Sequence, residues 1–170
     1  MGLEKAGAYN LIGTVKDLPS MSYAFFRMVG SDKCLSVVEH DKDPPTDRDW
    51  CDHYVADLRT ALNGSFFPAL TIVFTSGGLP STTQRVALSK MRDEAIEIGV
   101  DSRVGVVTPN IITRVASFAI RQFGATSLTA CKDEQSLFNN LGLPDEEREA
   151  VLTIRQSFRR PRVEAKESAV

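Results

Sequence analysis

The segment from Phe66 to Gly99 constrains this chain more than any other, because an apolar run, a Ser-Gly-Gly turn and a polar-capped amphipathic stretch follow one another directly. Pro68-Ala69-Leu70-Thr71-Ile72-Val73-Phe74-Thr75 is short, β-branched and apolar on both faces, the pattern of a strand covered on both sides. Ser76-Gly77-Gly78-Leu79-Pro80 breaks that pattern, and Ser81, Thr82 and Thr83 offer hydroxyls where a helix needs N-cap acceptors. Strand, tight turn and helix in this order make one unit of an α/β domain. The unit places backbone N–H groups at the carboxyl end of a central strand, the usual address for a site in such folds.

The flanking segments extend the pattern. Tyr23 to Val29 and Cys34 to His40 are β-prone runs separated by Gly30-Ser31-Asp32-Lys33, which suits an antiparallel hairpin, and Tyr9 to Val15 adds an earlier strand. After Asp43-Pro44-Pro45, Thr46 is a good N-cap with Asp47 and Asp49 in the first turn. Trp50, Tyr54, Leu58, Ala61 and Leu62 then share one helical face, and Asn63-Gly64 stops it. Past the central unit, Ala87, Met91, Ala95 and Ile98 form a helical stripe ended by Gly99, and Arg103 to Val107 is the next strand. Thr108-Pro109 reads as an N-cap with proline at the first helical position of a helix running to Gly124. Ser127 to Ala130 is a further strand, followed by a short helix near Asp133 to Leu141. A last helix opens at Pro144 with Asp145, Glu146 and Glu147, closes with Arg155, Arg159 and Arg160, and carries a seam of Val151, Ile154 and Phe158. The expected class is α/β: an N-terminal β-hairpin, then βα repeats with parallel pairing, in a mixed sheet with helices packed against it. Residues 1–160 form one domain in this reading, and 161–170 a flexible C-terminal tail.

At 170 residues the chain suffices for one substantial core and is short for two. A net charge of -2 gives no basic field for nucleic acid or anionic lipid, so no nucleic-acid partner is expected. Cys34, Cys51 and Cys131 are odd in number and widely spaced, which argues against a disulfide framework or zinc ribbon and fits a reducing cytoplasm. No apolar run is long enough for a membrane span, and no cofactor motif occurs: Gly-x-x-x-x-Gly-Lys-Ser/Thr and Gly-x-Gly-x-x-Gly are both absent.

Two readings of the central turn stand side by side. Thr75, Ser76, Ser81, Thr82 and Thr83 supply hydroxyls, Gly77 and Gly78 admit a close approach, and Arg85 adds positive charge, a set that suits an anion; the same residues also suit a purely structural turn and cap. Thr108 and Asn110 would line the same edge if the strands are parallel neighbours, and capping is the other use of Thr108. A catalytic serine has little support, since His40 and His53 are the only histidines and both lie in the other half of the chain. Cys34, His40, Asp41, Cys51 and His53 match no common zinc spacing. In the helix starting at Pro109, apolar residues including Ile111 and Phe118 cover an arc wider than a core-facing stripe needs, with Arg114 beside them. That surplus belongs either under the last helix or against a partner or apolar ligand. Phe25, Phe26, Phe66, Phe67, Phe118 and Phe123 provide the aromatic surface for a lipid-carrying role, and equally for a core.

The order of elements, the run from Leu70 to Gly78 and the helix after Leu143-Pro144 resemble the STAS domain, and most of all its divergent, stand-alone SpoIIAA-like bacterial branch. In anti-sigma-factor antagonists of that family the central strand ends in Asp-Ser-Ser-Gly, whose second serine a partner kinase phosphorylates. Here the matching run is Phe74-Thr75-Ser76-Gly77, so the resemblance puts Ser76 at the phosphoacceptor position while Phe74 replaces the acid. It implies a non-enzymatic regulatory or interaction module with a protein partner, either a regulatory kinase or a second copy of the chain, and room for a small ligand at the turn. The other reading of the same turn is a nucleotide- or anion-binding enzyme. Against that stands the absence of any His, Asp or Glu within the turn itself.

Overall fold

Apolar runs on either side of a tight turn at Gly30, where φ is +74°, build the antiparallel hairpin around which the sheet grows. The structure is a computed structural model and describes residues 3–31, 33–41, 43–61, 69–78, 80–97, 102–114 and 127–158. Its strands are β1 (Lys5–Ala6), β2 (Tyr9–Asp17), β3 (Met21–Met28), β4 (Cys34–His40), β5 (Leu70–Thr75), β6 (Arg103–Val107) and β7 (Leu128–Cys131). Among the described residues they form one seven-stranded sheet in the order β1-β2-β3-β4-β5-β6-β7. The pairs from β1 to β4 are antiparallel and those from β4 to β7 parallel, as expected of a hairpin followed by βα repeats. The short β1 has no sequence signal beyond two residues. The tail and the end of the domain at 160 lie outside the described residues.

Both faces of β3 and β4 are covered, which is why these strands read as continuously apolar. On one face Ala24, Phe26, Leu35, Val37, Leu70, Ile72 and Phe74 meet α3 (Glu134–Leu141) and α4 (Asp145–Gln156) through Leu137, Phe138, Leu141, Val151 and Ile154. Phe158 joins them, so the seam Val151, Ile154 and Phe158 docks α4 as its spacing predicts. On the other face Met21, Tyr23, Phe25, Cys34 and Val38 meet Trp50, Tyr54, Val55 and Leu58. Here the structure departs from expectation. The segment after Thr46 forms a π-helix (Arg48–Val55) that passes into a short α1 (Ala56–Ala61), while Leu62 and Asn63-Gly64 lie outside the described residues. Thr46 still caps the start, its Oγ1 accepting the Asp49 N–H at 3.1 Å. The wide turn seats Trp50 and Tyr54 at 4.8 Å between ring centroids, with Tyr54 edge-on to Tyr23 at 5.3 Å.

Asp49 is buried, and its carboxylate accepts the Ser20 N–H at 2.9 Å and the Ser20 hydroxyl at 2.6 Å, tying the β2–β3 turn to the π-helix. Burial opposes its charge, yet these two donors outweigh that and hold its pKa below the ordinary carboxylate value. Cys34 is buried under the same helix, and desolvation pushes its thiol up to about 12. Cys51, half-buried on the π-helix, is raised by the same cause, and Cys131 is buried at the end of β7. The thiolate is the reactive form, so at about pH 8 iodoacetamide should modify Cys51 at least about 100-fold faster than Cys34, while burial alone keeps the reagent from Cys131. Peptide mass mapping over time checks this order; Cys34 reacting at the pace of Cys51 would show that the π-helix opens readily.

α2 (Thr82–Glu97) follows β5, and its N-terminus is a capping box. Ser81 Oγ accepts the Gln84 N–H at 3.1 Å, and Gln84 Oε1 accepts the Ser81 N–H at 3.3 Å. α3 is capped by Asp133, whose carboxylate accepts the Ser136 N–H at 2.8 Å, and ends at Gly142 with φ +62°.

Candidate functional site

Register decides what the carboxyl edge of the parallel strands brings together. His40 of β4 lies opposite Thr75 of β5, and Phe74 opposite Val107 of β6, so the turns after β4, β5 and β6 form one rim. Thr75 is buried in that rim. Its Oγ1 lies 2.6 Å from the Gly77 carbonyl and 3.0 Å from that of Asp41, its one proton serving either, and it accepts the Gly77 N–H at 3.1 Å. Gly78 turns the chain back with φ +86°, a conformation that favours glycine. Ser76 Oγ, at the position matched to a phosphoacceptor, is closed off from solvent and has no hydrogen-bond partner among the described residues.

The turn itself holds no titratable group, but folding delivers two from the first half of the chain. His40 Nδ1 is 3.2 Å from Thr75 Oγ1 and 2.9 Å from the Asp41 carbonyl, the second contact requiring a proton on Nδ1. Asp47 reaches the start of α2, where Oδ1 accepts the Ser81 hydroxyl at 2.6 Å and the Gln84 Nε2 amide at 3.0 Å. The Ser81 hydroxyl, first among its partners, holds the Asp47 pKa below the ordinary value. A second Gln84 amide proton goes to the Pro45 carbonyl at 2.5 Å. The residues just before the π-helix are thereby locked to the start of α2. Asp47 and Gln84 carry no motif, and a polar pair so far apart in sequence becomes visible only when β4 and β5 lie side by side.

The other expected residues divide by role. Ser81 is a cap, while Thr82 and Thr83 are exposed in the first turn, with Arg85 donating to Thr82 Oγ1 at 3.0 Å. Thr108 is fully buried, its N–H donating to the Cys131 carbonyl at 2.9 Å. It is not the helix cap. Asn110 takes that role, Oδ1 accepting the N–H groups of Ile112 at 2.9 Å and Thr113 at 3.2 Å, so the helix starts at Ile111 and Pro109 precedes it. The reason is competition: Thr108 is held in the ladder to β7, and the asparagine amide is next in line to reach the free N–H groups. Thr108 Oγ1 instead accepts the Asn110 N–H at 3.2 Å. Ile111 and Ile112 project into solvent, 66% and 70% exposed, with Arg114 half-buried beside them. Phe118 and the rest of the segment expected to be helical lie outside the described residues, as do Phe66, Phe67 and Phe123. Phe25 and Phe26 are core residues on opposite faces of β3. Among the described residues no three His, Cys, Asp or Glu side chains gather as metal ligands, and no helix is long and apolar enough to cross a membrane.

No family model matches the sequence, and no curated protein matches it. The structure is similar to the crystal structure of an uncharacterized protein of the DUF3478 family, described as having a SpoIIAA-like fold, from Shewanella loihica PV-4. The TM-score is 0.50 at 16% sequence identity, over 76% of this chain and 99% of the other. The fold of this chain is SpoIIAA-like.

Proposed function

We propose that this chain is a non-enzymatic, STAS-like regulatory or interaction module that meets a protein partner across the carboxyl rim of β5 and β6. The observation that carries the reading is the side-by-side exposure of Ile111 and Ile112, 66% and 70%, on a turn that Asn110 holds in place. Two large aliphatic side chains in water at the rim of a well-capped fold are the kind of surface a partner covers. The polar groups nearby support binding over turnover. Thr75, Thr108 and Ser81 are engaged in turns and caps, His40 points its Nδ1 proton at a carbonyl, and Asp47 is held as a fixed acceptor. A negative carboxylate at the start of α2 also disfavours an anionic substrate on that helix. A phosphoacceptor role for Ser76 would need the turn to open, since Oγ faces inward.

The test is cross-linking mass spectrometry on the protein in its own cells, comparing wild type with the Ile111→Asp, Ile112→Asp double variant. Cross-links from the β5 and β6 rim to another protein, or to a second copy, should fall at least about tenfold in the variant while the folded spectrum is kept. Rim cross-links that survive both substitutions, or a rim that forms none in wild type, would sink the reading.

A further inference from the structure

Away from the rim, β2 departs from regular pairing. It advances from Ile12 to Lys16 while β3 advances only from Phe25 to Tyr23, so β2 carries two extra residues and bows outward. Gly13 sits in the bow with φ +81°, and a Cβ there would meet nothing within 4 Å. The bow and α1 leave between them a cleft of about 210 Å³. Ile12, Gly13 and Phe25 line its apolar side, and Lys16, Tyr23 and Asp57 its polar side.

The polar groups are arranged but not saturated. Tyr23 donates its hydroxyl to Asp57 Oδ2 at 2.7 Å, and Lys16 Nζ stands 3.8 Å from the same oxygen, an ion pair beyond hydrogen-bond reach. Asp57 Oδ1 accepts no hydrogen bond from any described residue. Both charged side chains are close to half exposed, so water weakens their mutual hold, and a ligand displaces it at little cost.

We propose that this cleft binds a small zwitterion, an α-amino acid with a short apolar side chain. Its ammonium donates to Asp57 Oδ1, its carboxylate accepts from Lys16, and its side chain covers Ile12 and Phe25. One weak internal ion pair is thereby exchanged for two charge-assisted hydrogen bonds. The charge balance selects the class. A simple amine leaves its cation against Lys16, and a simple carboxylic acid leaves its anion against Asp57. Nothing in this site depends on the rim of β5 and β6.

The experiment is a titration of the full chain with L-leucine, followed in two-dimensional amide NMR spectra. The amides of Gly13, Lys16 and Thr60, which also borders the cleft, should shift and saturate at millimolar ligand or below. Isoamylamine and isocaproate, which lack the carboxylate and the ammonium respectively, should bind at least about tenfold more weakly. Lys16→Met changes a solvent-facing side chain and should abolish saturation with the fold intact; Asp57→Asn should do the same. No shift in the wild type overturns the proposal, as does an amine that binds as tightly as leucine or a titration that survives both substitutions. The Ile111→Asp, Ile112→Asp variant should titrate like wild type, so the two readings stand or fall separately.

Discussion

Arg155→Ala is expected to lower the free energy of unfolding by about 3 kcal/mol, the loss seen when one partner of a largely buried charge cluster is removed. Arg155 ties α4 to three other elements. Nε and Nη2 donate to Glu39 Oε1 at 3.0 and 2.9 Å, Nη1 donates to Glu134 Oε1, and the guanidinium lies 4.1 Å above the Phe74 ring. Truncation strips the cation from two carboxylates at once, and Glu39 is only 14% exposed, so water cannot replace what is lost. Arg155→Lys keeps the charge without the planar fork and should recover less than half of the deficit. Adding Glu39→Gln to Arg155→Ala should restore about 1 kcal/mol, because the stranded charge is then gone. Urea unfolding at neutral pH measures all four proteins. A loss under about 1 kcal/mol for Arg155→Ala would mean that the cluster behaves as an ordinary surface ion pair.

Gly105→Ala should cost about 2 kcal/mol although alanine suits a strand better than glycine. A Cβ at Gly105 would stand 2.9 Å from Leu137 Cδ2 and 3.0 Å from the Cδ1 atoms of Ile72 and Leu141. The glycine is the place where α3 comes down onto β6. The contact is with side-chain ends, so the cost should be removable: in a Leu137→Ala background the same substitution should be close to neutral. A double-mutant cycle in urea reads the coupling directly. Additive losses would show that the helix tilts away and that the space above Gly105 is not fixed.

These two sites also show what was legible beforehand. The burial of Phe74 and the docking seam of α4 follow from period alone, and so do the strands around Leu70 to Thr75 and Arg103 to Val107. Spacings of four, such as Trp50, Tyr54 and Leu58, suit a helix but do not separate an α-turn from a wider π-turn, so that distinction waited for the aromatic packing on Tyr23. Thr108 and Asn110 are both good caps, and the choice between them was made by the β7 ladder, a contact with a segment some twenty residues on. At the rim, the hydroxyls of Thr75 and Ser81 were visible in sequence, whereas their partners His40 and Asp47 were not, because long-range polar pairs leave no local period. The cleft at β2 was hidden for a different reason: Tyr9 to Val15 reads as a strand, but where its pairing slips by two residues is decided by β3 and leaves no local mark.

The strictly sequential order of the sheet has a consequence for how the protein is made. Each strand pairs with the one synthesised just before it, so a nascent chain can extend its sheet as it leaves the ribosome, with no strand inserted between two others. Closing the sheet is another matter. α4 packs back onto β1 and β4, and Glu147 meets Lys33 across 114 residues of chain. Until that helix emerges, the face bearing Phe26, Leu35 and Val37 lacks its last cover, and a chain released before Asp145 would carry all seven strands with a sheet that is sticky on one side.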